Sequence, residues 1–284
     1  MKTCLECIPC FGKQIVEVAG MLGGDEEKQN KAVKEMMAVF SKFDLQDSPP
    51  VFAQRLSRIA RTYLEGRDPF HDIKERFNTL AMHILPGLQE SVKDSPDPFG
   101  LATRLCIVGN IIDSGVVSYK LEEDAVTEAI MNASEEELFG DIEPFRERYL
   151  SAENILWLAD NAGEIVLDQL LMSFVEPGRI TIAVRGMPIL NDATLSDARD
   201  IGLTSMYRVI ENGSDAPGTI LSDCSPEFME AFNESDLIVS KGQGNYETLS
   251  SFPDDRIFYL LKAKCQIIAR DISCDLGRLV IQQH

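Results

Sequence analysis

Apolar residues recur at three- and four-residue spacing through 33–43, 52–64, 73–88 and 101–117, with no strand-like alternation between them. The rhythm breaks at Gly23-Gly24, Ser48-Pro49-Pro50, Asp68-Pro69 and 94–98, each a stretch with turn chemistry. This pattern predicts an all-helical N-terminal domain or cap over residues 1–140. Its acidic helix faces read as solvated surface.

From about Asn154 the pattern changes to short apolar runs separated by helical segments. Strands are expected at 155–159, 179–184, 205–210, 237–240 and 256–260. The first of these, Ile-Leu-Trp-Leu-Ala, has no alternation, which is how a strand covered on both faces reads. A repeating βα order implies an α/β core over 141–284, a mostly parallel, doubly wound, Rossmann-like sheet. Ligands of such sheets bind beyond the carboxyl ends of the strands, so the residues just after each run are the ones to inspect. Asp160 and Asn161 come after the first run, Asn191 and Asp192 after the second, Lys241-Gly242-Gln243-Gly244 after the fourth, and Lys262 after the fifth.

Asp160, Asn161 and Asp192 together offer two carboxylates and an amide, an all-oxygen donor set suited to Mg²⁺, Mn²⁺ or Co²⁺. A single Asp before a helix is more simply an N-cap, and the Asp-Asn-Ala-Gly-Glu turn at 160–164 offers more than one cap requires. Lys241 and Lys262 are positioned to neutralise phosphate oxygens if they are not surface lysines, and glycines around Gln243 allow close backbone approach. Metal, lysines and a helix N-terminus are the means of phosphoryl transfer, and the expected step is in-line attack of an activated water on a phosphomonoester. An aspartyl nucleophile at Asp160 is the minor alternative. The G-x-x-x-x-G-K-[ST] and G-x-S-x-G signatures are missing, and Gly242-Gln243-Gly244 lacks the third glycine of a dinucleotide loop.

The formal charge of -19 opposes broad binding to nucleic acid or anionic membrane. With no apolar stretch of membrane-spanning length and no apolar leader after Lys2, a cytoplasmic protein is expected. Seven cysteines in 284 residues do not resemble a secreted disulfide framework. Cys4, Cys7 and Cys10 form C-x-x-C-x-x-C, which reads equally as a separate metal or redox site and as a stripe of small residues on one helix face.

Several motifs in order resemble one family. D-N-A-G-E at 160–164, V-R-G-x-P-I-L-N-D-A-T at 184–194, K-G-Q-G-N-Y-E at 241–247 and L-K-A-K-C at 261–265 look like the metal-dependent damage-control phosphatases. That family also contains the acidic residue methyltransferase-like proteins. The N-terminal C-x-x-C and G-N-I-I-D at 109–113 resemble its cysteine-bearing subfamily. The resemblance implies a helical portion on an α/β core, and a divalent ion (Mg, Mn, Co or Ni) at Asp160, Asn161 and Asp192. It also implies substrate contacts from Gln243, Gly244, Asn245, Tyr246, Glu247 and Lys262, and hydrolysis of sugar phosphates or related small phosphorylated metabolites. A helix over 101–118 would carry Asn110 and Asp113 toward the site, unless these are an internal hydrogen-bonded pair. Some relatives have Arg at the position of Glu247, so the pocket here is expected to be less positive. Two rival readings are an S-adenosylmethionine-dependent carboxyl methyltransferase, for which no early glycine-rich loop is present, and a non-enzymatic metal or redox module built on the three cysteines.

Overall fold

The computed structural model describes residues 1–24, 26–109, 128, 130, 132 and 135–284. Among the described residues five helices precede the sheet: α1 (Ile8–Met21), α2 (Glu26–Phe40), α3 (Pro49–Leu64), α4 (His71–Asp94) and α5 (Pro98–Val108). Local chemistry sets their ends. Pro49 and Pro50 open α3, where a missing N–H costs nothing, and Asp97 caps α5 by accepting from the Gly100 amide. The expected helix over 101–118 is present as far as Val108; its continuation, with Asn110 and Asp113, lies outside the described residues.

The remaining chain alternates strand and helix: β1 (Leu138–Phe139), α6 (Ile142–Ser151), β2 (Ile155–Leu158), α7 (Glu164–Met172), β3 (Ile180–Val184), α8 (Leu195–Asp200), β4 (Arg208–Glu211), α9 (Pro226–Glu234), β5 (Leu237–Lys241), α10 (Gly242–Leu249), β6 (Ile257–Lys262), α11 (Gln266–Ile272) and β7 (Leu279–Gln283). The strands form one seven-stranded sheet in the order β1-β7-β6-β5-β2-β3-β4. From β6 to β4 every pairing is parallel, and β7 runs antiparallel to β6. The α/β reading therefore holds, with two differences in detail. The third strand starts at Arg208, after a short 3-10 turn over Leu203–Ser205, and β1 and β7 extend the sheet beyond the five expected strands.

Strand β2 shows why its run lacks alternation. Ile155 and Trp157 point into the apolar layer under α4 to α7, whereas Leu156 and Leu158 point into the layer under α9 to α11. Helices α1 to α3 have a third apolar cluster of their own, in which Phe11 and Phe52 stack with centroids 4.1 Å apart. The break between apolar clusters thus falls between α3 and α4, within the stretch 1–140. Among the described residues no helix is long and apolar enough to cross a membrane.

Candidate active site

Two loops leave adjacent parallel strands and are tied together by backbone. After β2 the chain turns through Asp160 to Gly163, and after β3 it passes through Arg185 to Thr194. An antiparallel bridge joins Asn161 to Asp192, with Ala162 N donating to the Asn191 carbonyl (2.9 Å) and Ala193 N to the Asp160 carbonyl (2.8 Å). Asp160, Asn161 and Asp192 are thereby gathered at one place although 31 residues separate Asn161 from Asp192 in the chain, the difference of their numbers. Helix α4 braces the turn from behind, since Asn78 Oδ1 accepts from Gly163 N at 2.7 Å. Gly163 and Gly242 are both left-handed, with φ of 78° and 77°. A Cβ on Gly242 would overlap the Asp160 carboxylate, so β5 can end this close to β2 only with glycine. The sheet order reverses between β2 and β5, the switch point at which ligands of such sheets bind.

Arg185 lies beneath these groups and is 1 % exposed. Its Nε donates to Asp192 Oδ2 at 2.6 Å, its Nη1 to the Gly218 carbonyl and to Asn245 Oδ1, and its Nη2 lies 3.8 Å from Asp160 Oδ1. It fixes how the Asp192 carboxylate is presented and sets positive charge near that of Asp160. Sequence reasoning passes over it, although an arginine directly after a buried strand, in a chain this acidic, is an available signal.

A cleft of about 1090 Å³ opens over the two loops. Its floor includes Asp160, Asn161, Asn191 and Asp192; one wall is formed by α1 and the starts of α3 and α4, and the other by Gln243, Gly244, Glu247 and Lys264 to Ile267. The 241–247 motif is a helix start rather than a loop, and helical period sorts its residues. Gln243, Gly244 and Glu247 line the cleft. Lys241, Asn245 and Tyr246 turn into the core, which corrects the expectation that they reach a substrate. Asn245 brackets strand ends by donating to the Leu158, Ala159 and Lys241 carbonyls, and Tyr246 donates to Asp271 Oδ2 at 2.7 Å.

Lys241 is fully buried. Its ammonium donates to Glu164 Oε1 (2.6 Å), Asp168 Oδ1 (2.5 Å) and the Cys106 carbonyl (3.0 Å). Burial works against its charge, but the Asp168, Cys106 and Glu164 groups outweigh burial and hold its pKa well above the usual lysine value. Asp168 is pushed up by burial, with Lys241 opposing. Its oxygens also accept from Trp157 Nε1 (2.9 Å) and the Cys106 thiol (3.1 Å). The lysine is a core cation rather than a phosphate ligand. Lys262 does not line the cleft either; its ammonium sits 3.1 Å from both Glu136 oxygens.

Glu247 is one of the acids that line the cleft. Burial pushes its carboxyl up to about 7, opposed by the hydrogen bond from Gln243 Nε2 and by the N-terminal ammonium. Cys7 and Cys10 line the helical wall and Cys265 the opposite one. Burial raises the Cys7 and Cys265 thiols above their usual value, away from thiolate reactivity. Among the described residues no group of three or more His, Cys, Asp or Glu is arranged to hold a metal ion, so Cys4, Cys7 and Cys10 do not form such a site by themselves. The floor is a different case, because its third donor is an amide.

Comparison with known proteins identifies the family of the chain. The family described as damage-control phosphatase ARMT1-like domain matches residues 3–280. A damage-control phosphatase of Archaeoglobus fulgidus is 35% identical over 287 residues, 99% of this chain and 98% of that protein. Damage-control phosphatase PH1575 of Pyrococcus horikoshii is 33% identical over 289 residues, 100% of this chain and 99% of that protein. The crystal structure of the Pyrococcus protein, described as a DUF89 family protein, superposes with a TM-score of 0.89 at 32% identity, covering 100% of this chain and 99% of that one. The chain belongs to the damage-control phosphatase ARMT1-like family.

Proposed function

We propose that this protein is a phosphatase that hydrolyses small phosphorylated metabolites, sugar phosphates among them, with a divalent cation held by Asp160, Asn161 and Asp192. The observation that carries the reading is the backbone bridge between Asn161 and Asp192, which sets two carboxylates and an amide side by side on the floor of an open cleft. The names of the relatives support the phosphatase class. All three donors are oxygens, a set that fits Mg²⁺, Mn²⁺, Co²⁺ or Ni²⁺ better than a thiol-seeking ion.

When bound, such an ion supplies Lewis acidity toward the phosphoryl oxygens and the attacking water. The protein's own groups do the rest. Arg185 holds the Asp192 carboxylate in one orientation and offsets part of the negative charge that two adjacent acids bring. Glu247, poised near neutrality, is a cleft-lining carboxyl able to take or return a proton at its Oε atoms. Lys264 lines the same wall and brings positive charge to the cleft. Because the helical wall carries Phe11, Val18 and Phe70, it can exclude water around a bound ester.

The test is phosphate release from an aryl phosphate and a panel of sugar phosphates, with Mg²⁺, Mn²⁺, Co²⁺ or Ni²⁺ added singly. Activity should require an added ion. Asp192→Asn, which leaves Arg185 an acceptor, should lower turnover by about 100-fold or more. Turnover that survives both chelation and this substitution would overturn the reading.

A further inference from the structure

The Lys241 network ends at the floor of the cleft. Asn161 Nδ2 donates to Glu164 Oε2 at 3.2 Å and to Asp160 Oδ2 at 3.1 Å. Both amide hydrogens are therefore committed to carboxylates, and the reverse orientation would set the amide oxygen against two carboxylate oxygens. The other Glu164 oxygen accepts from Lys241, and Lys241 is pinned in turn by Asp168 and the Cys106 carbonyl. Glu164 and Lys241 are both fully buried, shut off from bulk solvent. A buried acid with one oxygen on a fixed ammonium and the other on an amide is an orienting device.

We propose that Glu164, held by Lys241, is a positioning residue that fixes the Asn161 side chain with its nitrogen toward the protein and its carbonyl oxygen toward the cleft. The proposal rests on the reading of Asp160, Asn161 and Asp192 as the ligands of a divalent ion. It gives a purpose to a buried ion-pair cluster that does not line the cleft, and assigns Lys241 a place behind the site in place of a phosphate contact. Without Glu164 the amide keeps only its hydrogen bond to Asp160 and loses one of the two contacts that oppose its rotation. An amide presenting N–H groups to a cation is not a ligand, so the ion would lose one of three protein donors.

The test is Mn²⁺ binding to the full chain by titration calorimetry, which reads the ion and not turnover. Glu164→Gln should weaken binding about 10- to 100-fold, the usual cost of losing an outer partner of a metal ligand. Glu164→Asp keeps the charge beside Lys241 but withdraws the carboxylate from the amide; it too should weaken binding, and it is the variant to use if Glu164→Gln does not fold. The exchanged pair Glu164→Gln with Asn161→Asp restores the hydrogen bond with donor and acceptor reversed, and a carboxylate needs no such orientation. It should recover most of the affinity lost in Glu164→Gln and bind at least as tightly as Asn161→Asp alone, the reference that accounts for the added charge; a purely structural loss at Glu164 would weaken binding in that background as well. Wild-type Mn²⁺ affinity in a folded Glu164→Asp, or no recovery in the exchanged pair, would overturn the proposal. Asp192→Asn is the control for the underlying reading: if it binds Mn²⁺ like the wild type, the ligand assignment fails and the role of Glu164 fails with it, whereas loss in Asp192→Asn alone condemns only the role of Glu164.

Discussion

The sheet side of the cleft buries charge, with Arg185, Lys241, Glu164 and Asp168 all enclosed, whereas the helical side of α1 to α3 buries stacked aromatic rings. Charge taken out of water is tolerated only where each partner is fixed. Aromatic packing tolerates adjustment more readily, because it carries no unpaired polar group when it shifts. The sheet side is therefore built to hold atoms in place for chemistry, and the helical side to supply shape. The two meet through a polar anchor. On α3, Arg58, Arg61 and Gln54 all donate to Asp215, in the loop after β4.

Substitutions that exchange these properties test the contrast. The largest effect is expected for Lys241→Met, which leaves Glu164 and Asp168 buried without a cation. Stability in urea should fall by about 3–5 kcal/mol, unless one acid takes up a proton to limit the loss. A fall of less than ~1 kcal/mol would mean the sheet side does not depend on fixed charge. The second concerns Glu247. Its folded pKa of about 7 exceeds the ordinary 4.5, so the folded state binds the proton more tightly, and this residue's contribution to stability declines as pH rises from 4.5 to 7. Glu247→Gln should then raise stability at pH 8 by roughly 1–3 kcal/mol and leave it unchanged at pH 4, measured by thermal melts at both values.

The smallest effect is expected at the anchor. Burial tends to raise the Asp215 carboxyl, but Arg58 and Arg61, with Gln54, overcome it and hold it below its ordinary value. Its contribution is thus present above the ordinary carboxylate pKa of about 4 and is lost as pH falls through the lower folded value. Arg58 is half exposed and Asn keeps an acceptor for both arginines, so Asp215→Asn should cost about 1 kcal/mol although Asp215 itself is buried. Hydrogen exchange should show that loss in α3 amides and leave those of β2 and β5 protected.

The parts of this molecule legible from sequence are those with local causes. The β2 run reads as a two-faced strand because both its neighbours and its coverings are apolar, and Asp160 and Asn161 stand out because they end it. Strand β7 escapes such a reading, since it runs antiparallel to β6 and is defined by that pairing rather than by a parallel βα rhythm. Lys241 misleads for a physical reason. A lysine after an apolar run looks like a strand end facing ligand, and only its partners 77 and 73 residues away show it to be internal. Asp168 gives a weaker sign, an acid in the middle of a mostly apolar helix, which is how a buried partner reads when its cation is distant in the chain.

The Lys241 cluster also bears on how the chain reaches and leaves its native state. Its ammonium joins segments 73, 77 and 135 residues apart, so its bonds can close only after α5, α7 and β5 have docked. Contacts of that separation form late, and interactions that are absent from the folding transition state act chiefly on the rate of unfolding. The cluster that orients the floor of the cleft is thus expected to work as a kinetic latch, lengthening the lifetime of the folded sheet more than it hastens its formation.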